Sequence, residues 1–112
     1  METVTFAVSP ELAEYLEHIR GQTSEEKVLA LLENYLTSQL RDCEQEIGQY
    51  EVKYRSAFPE FAEAWARGVI SGKHTHTVER DYMEWEGLEA EKRRWLELLR
   101  GLPGNGHSES AP

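Results

Sequence analysis

The chain has 112 residues, with 21 acidic against 12 basic side chains and a single cysteine. That length implies one domain with room for a short second module. No apolar run approaches the roughly 18 residues of a membrane span, and the polar N-terminus does not read as a signal peptide. Cys43 alone excludes an internal disulfide framework and a cysteine zinc cage, so the expected compartment is the cytoplasm. The formal net charge of −9 is uneven, with eleven acids and three bases over residues 1–51 and nine of each over 52–100. An acidic N-terminal half repels phosphate, so charge disfavours DNA and favours a protein partner, best a basic one.

Thr3-Val4-Thr5-Phe6-Ala7-Val8 alternates strictly, which predicts a strand with Val4, Phe6 and Val8 on one face and Thr3, Thr5 and Ala7 on the other. Ser9-Pro10-Glu11 reads as N-cap, N1 proline and first-turn acid. Leu12, Tyr15, Leu16 and Ile19 follow at helical spacing, and Gly21 is the stop. Thr23-Ser24-Glu25-Glu26 is a capping box that opens a second, long helix. Its apolar stripe runs through Val28, Leu31, Leu32, Tyr35, Leu36 and Leu40, and on through Cys43, Ile47, Tyr50 and Tyr54. Pro59 places a break at Ser56–Phe58. A short third helix carries Phe61, Ala62 and Trp65. After a polar connector over 71–77, Thr77 caps a last helix from about Val78 to Arg100. Residues 101–112, rich in glycine, form a tail expected to be flexible.

His74-Thr75-His76 is the one pair of nitrogen ligands close in sequence. No third strong ligand sits at a defined offset, so it reads as polar connector and no metal or cofactor is expected. Cys43 falls on the apolar stripe and reads as a small core residue. No phosphate loop, nucleophile elbow or dinucleotide fingerprint occurs, and no catalytic residue is assigned. The most unusual stretch is residues 78–91, six acids against one base interleaved with Tyr82, Met83 and Trp85. Two readings stay open for it. Tyr82, Trp85, Trp95 and Leu99 pack on the stripe over 40–54, or the aromatics and carboxylates form a dock for a basic partner.

A lone strand needs partners for its amides and carbonyls. With no second strand in the chain, a ribbon paired with a second copy across a two-fold axis is the economical expectation. Strand, short helix, capped turn and longer helix resemble the ribbon-helix-helix fold over the first ~45 residues. That resemblance implies an obligate homodimer with Val4, Phe6 and Val8 buried between the ribbon and the helices. It also implies DNA-facing roles for Thr3, Thr5, Ala7 and Ser24, although this ribbon carries no Arg, Lys, Gln or Asn and Glu2, Glu25 and Glu26 flank it.

From Lys53-Tyr54 through Phe58-Pro59-Glu60-Phe61 to His76-Thr77-Val78-Glu79-Arg80-Asp81-Tyr82-Met83-Glu84-Trp85-Glu86, the chain resembles small antitoxins of the Tum class of prokaryotic toxin–antitoxin modules. Arg55 stands where that family has glycine, and Pro59 where it has an acid. The resemblance implies a C-terminal arm that neutralises a small ribonuclease-like toxin, with Trp65, Tyr82, Trp85, Glu86 and Trp95 as partner-binding candidates.

The expectation is thus a mainly α antitoxin. It comprises a ribbon-helix-helix-like dimerisation module over 1–50, a helical toxin-binding arm over 51–100 and a tail over 101–112, with possible regulation of its own operon. The alternatives are a ribbon-helix-helix regulator without a toxin and a helical protein-interaction adaptor. In a ribbon-helix-helix dimer the C-terminal ends of the second helices diverge, so the stripe over 40–54 should be covered by residues 58–99 of the same chain or by the toxin, and should not zip with its own copy.

Overall fold

The computed structural model describes residues 2–73 and 75–103. Four helices follow in order: α1 (Pro10–Leu16), α2 (Ser24–Tyr54), α3 (Phe58–Ala66) and α4 (His76–Arg100). They belong to two units, Met1–Tyr35 and Leu36–Pro112.

In the first unit, local hydrogen bonding sets the helix boundaries. The Ser9 hydroxyl accepts from the Leu12 N–H at 3.2 Å, and Pro10 supplies a preset φ in the first turn. The predicted capping box is present in full. Thr23 Oγ1 accepts from Glu26 N–H at 3.1 Å, while Glu26 Oε1 accepts from the N–H groups of Gln22 at 2.6 Å and Thr23 at 3.3 Å. Gly21 sits at φ +132°, and a Cβ there would lie 2.9 Å from both Glu26 Cβ and Lys27 N, so only glycine fits the turn.

The strand expectation fails. Among the described residues there is no strand, and Thr3–Val8 belongs to no regular element. Val4 is 92% exposed and Phe6 68%. Alternation favours an extended backbone, but a strand exists only through ladder hydrogen bonds, and no other segment among the described residues supplies them. The ribbon-helix-helix assignment therefore falls, and with it the burial expected for Val4, Phe6 and Val8. The mainly α class stands.

The second unit has a hydrophobic core. Cys43 and Ile47 of α2 pack with Phe61 of α3 and Trp85 of α4, all buried, and Tyr50, Tyr54, Phe58, Trp65, Tyr82, Leu88 and Trp95 close around them. The stripe over 40–54 is thus covered by the same chain, as expected. Trp85 is fully buried, with its ring centroid 5.0 Å from Phe61, 5.3 Å from Phe58, 5.7 Å from Tyr50 and 5.9 Å from Tyr54. These are separations at which ring edges and faces attract beyond their area. α2 ends in a Schellman arrangement, with Arg55 at φ +54° and Ser56 N–H reaching Glu51 O at 3.3 Å. Pro59 then lies in the first turn of α3. α4 starts two residues earlier than the sequence suggests: the capping hydroxyl is Thr75, which accepts from Val78 N–H at 3.3 Å, and Thr77 is already helical.

Candidate functional site

Two concave surfaces, one within each unit, differ in chemistry. In the first unit, α1 and the opening turns of α2 present their apolar sides to a common groove of about 570 Å³. Leu12, Tyr15 and Leu16 come from α1, Ile19 from the turn after it, and Val28, Leu31, Leu32 and Tyr35 from α2, with Phe6 and Val8 at one wall. The i, i+3, i+4 and i+7 spacing on both helices produces this arrangement. Little of it is covered. Tyr15 is 71% exposed and Leu12 59%, and Ala30 is the one buried residue of this unit among the described residues.

The unit that holds the groove is acidic. Residues 1–35 contain seven acids and two bases. Both bases are engaged: Lys27 Nζ donates to the Ile19 carbonyl at 2.8 Å, closing the end of α1, and Arg20 lies 3.5 Å from Glu33. The carboxylates outside that pair determine the field.

The second unit holds a narrower groove of about 410 Å³ between α2 and α4, lined by Glu46, Tyr50, Glu84, Gly87, Leu88 and Glu91. The Tyr50 hydroxyl donates to Glu84 at 2.6 Å, and that bond, with burial, pushes its pKa up to about 12. Deeper in, Asp81 accepts from Lys53 Nζ and from the Tyr54 hydroxyl. Burial raises the Asp81 carboxyl, but these two bonds outweigh it and hold it below the usual carboxylate range. Burial, then the bond to Asp81, drives the Tyr54 hydroxyl upward. Burial, reinforced by Glu91, raises the Cys43 thiol to about 11. Its S–H points at the Leu88 carbonyl, 3.2 Å away, so this cysteine is a core residue without nucleophilic character.

The aromatic candidates of the C-terminal half come together, though as a core. Trp85 is at its centre, and Trp65, Tyr82 and Trp95 are half-buried around it. The Trp65 and Tyr82 rings lie 4.6 Å apart, and Lys73 stands over Trp65 at 5.3 Å. Of the open readings for residues 78–91, packing on the α2 stripe takes Trp85 entirely, so its ring is closed to a partner. Glu86 is exposed on α4, together with Met83 and Glu84. Thr3, Thr5 and Ala7 are exposed on the unpaired N-terminal segment, and Ser24 is exposed at the start of α2 beside Glu25 and Glu26. His76 is exposed at the first turn of α4, and His74 lies outside the described residues, as does the end of the 101–112 tail from residue 104. Among the described residues no three His, Cys, Asp or Glu side chains converge as metal ligands, and no helix is long and apolar enough to cross a membrane.

Sequence reasoning named the groove residues as apolar helix faces and placed only Val4, Phe6 and Val8 in a core under a ribbon. Two apolar helix faces within one unit, with no third helix among that unit's described residues, are the signal that marks a groove. No family model, characterised protein or solved structure matches the chain.

Proposed function

We propose that this chain is a non-catalytic protein-interaction module that holds a basic protein partner. The observation that carries the reading is the uncovered apolar groove of the first unit, set among carboxylates whose field attracts cations. Contiguous exposed apolar surface of this kind is costly in water and marks a place where another surface docks. A self-sufficient core in the second unit suits a scaffold for it. The lone buried thiol is compatible with a reducing, cytoplasmic setting.

The similarity of residues 53–61 and 76–86 to antitoxins makes a small RNA-cleaving toxin the first partner to test. A protein that binds RNA carries a basic surface, which an acidic module can occlude. The residues behind that similarity are largely core here, which moves the expected contact from the Trp85 ring to the groove and to exposed carboxylates such as Glu86.

The test is co-expression of the full chain with the product of its adjacent gene, followed by affinity measurement on the purified pair. Loss of the complex in Tyr15→Gln, with folding intact, supports the reading. A complex that survives Tyr15→Gln and Leu31→Gln but fails in Glu86→Lys relocates the contact to α4.

A further inference from the structure

We infer that the groove of the first unit receives an amphipathic helix with lysine or arginine on its flanks, supplied by a partner protein; this rests on the interaction reading above and specifies the occupant. Three features of the groove select it. The first is shape: two helices form its sides, and a third helix can lay its own ridge of side chains between them, burying apolar area on all three. The second is the lining, which is nearly devoid of polar atoms. α1 and α2 keep their backbone groups in their own ladders, so these two walls offer an extended peptide nothing to pair with; only the segment that carries Phe6 and Val8 has backbone groups to share, and binding without added helix would report that mode. A guest seated between them must satisfy its own amides and carbonyls, as a helix does. The third is charge. Glu11 and Glu14 adjoin Leu12 and Tyr15 on α1, and Glu25 stands one turn before Val28 on α2, all exposed. With Arg20 and Lys27 already engaged, cations flanking the guest's apolar face find exposed carboxylates on both α1 and α2.

The same charge argues against a second copy as occupant. Each copy brings seven acids and two bases over residues 1–35, so apposed grooves place like charges together.

The experiment uses the full chain and designed peptides of about five helical turns. One has leucine at i, i+3, i+4 and i+7 with lysine elsewhere. A second has the same composition scrambled, and a third replaces every lysine with glutamate. Isothermal titration, circular dichroism of the mixture and sedimentation of the chain alone are the readouts. The expected result is saturable binding of the first peptide, accompanied by a gain in helicity, and at least about tenfold weaker binding of the other two. Tyr15→Gln and Leu31→Gln, both at exposed positions and both good helix formers, should weaken the first peptide by about tenfold with the chain's own melting unchanged. Raising ionic strength from about 0.05 to about 0.5 M should weaken it further.

Equal binding of the glutamate peptide overturns the charge assignment while leaving the groove as a docking site. Equal binding of the scrambled peptide, or binding without added helix, overturns the helix assignment alone. A chain that binds no peptide and sediments as a dimer that Tyr15→Gln dissociates assigns the groove to a second copy, overturning this inference but not the interaction reading. A monomer that binds none of the peptides overturns the inference, and if it also ignores the adjacent gene's product, the interaction reading falls with it.

Discussion

Tyr54 of α2 donates its hydroxyl to Asp81 of α4 at 2.6 Å, on the same carboxylate oxygen, Oδ2, that its neighbour Lys53 reaches at 2.5 Å. Two consecutive residues of one helix thus converge on one acid of another, although successive helical residues point about 100° apart. The long lysine stem spans the difference, and it stays half exposed while Asp81 is buried. Asp81→Ala would leave the tyrosine hydroxyl without its partner and is expected to cost about 2 kcal/mol, measured as a lower urea midpoint. Lys53→Ala should cost clearly less, because the half-exposed ammonium is screened by water.

The same carboxylate makes stability fall in acid. Its native pKa lies below the ordinary value of 3.8, so the unfolded chain takes up the proton first as pH drops. The contribution is fully present above that ordinary value and is lost as pH falls below it, through the lower native pKa. Asp81→Asn should flatten the acid limb of the stability profile, which urea titration at a series of pH values will show.

The alkaline side has the opposite sign. The Cys43 thiol is raised from 9.0 to about 11 and the Tyr50 hydroxyl from 10.0 to about 12. The unfolded chain loses these protons first, so the contribution of these two groups is complete below pH 9 and declines above it. Cys43→Ala should shallow the decline that begins at 9. In the native protein, Cys43, 1% exposed, should react with a disulfide reagent only as fast as the second unit opens, and at once in denaturant.

Trp85→Ala removes the ring at the centre of the aromatic cluster and is expected to cost about 3–5 kcal/mol, unfolding the second unit at ambient temperature or close to it. Melting followed by circular dichroism checks this. A Trp85→Ala chain with unchanged melting would place the ring on the surface.

Arg55 offers a gain. An L-residue at φ +54° pays a steric cost of about 1–2 kcal/mol that glycine escapes, offset in part by glycine's greater freedom when unfolded. Arg55→Gly should stabilise by about 0.5–1 kcal/mol. Gly48, inside α2 with nothing within 4 Å of a would-be Cβ, should yield a similar gain on replacement by alanine. Denaturant midpoints of the two variants and of their combination measure both, and distant sites should add.

What the sequence made legible was local. The Ser9 cap, the Thr23–Glu26 box and the break before Pro59 depend on residues within a few positions of each other; the first two are present as expected, and the break falls one residue earlier, over 55–57, because Pro59 takes a first-turn position of α3 and Phe58 is already helical. The α4 start was off by one threonine because Thr75 and Thr77 are equally able to cap. Choosing between them depends on the turn at Gly72, whose carbonyl accepts from the Thr75 hydroxyl at 2.8 Å. Periodicity placed Trp85 on an apolar stripe, yet a stripe does not specify what it meets. Residues Val4, Phe6 and Val8 fail for the same reason in reverse: their alternation is real, and the partner it calls for is not in the chain. The groove was unread because Leu12 and Tyr15 look the same in sequence whether covered or bare.

The first unit, with Ala30 alone buried among its described residues, keeps little of its structure through packing. Segments of that kind open at small energetic cost and are where amide exchange and proteolytic cutting begin. A guest in the groove would close that route, because a ligand that binds only the ordered form withdraws chain from the open one. Occupied and vacant molecules would then differ in lifetime, and the abundance of the chain in a cell would track the supply of its guest.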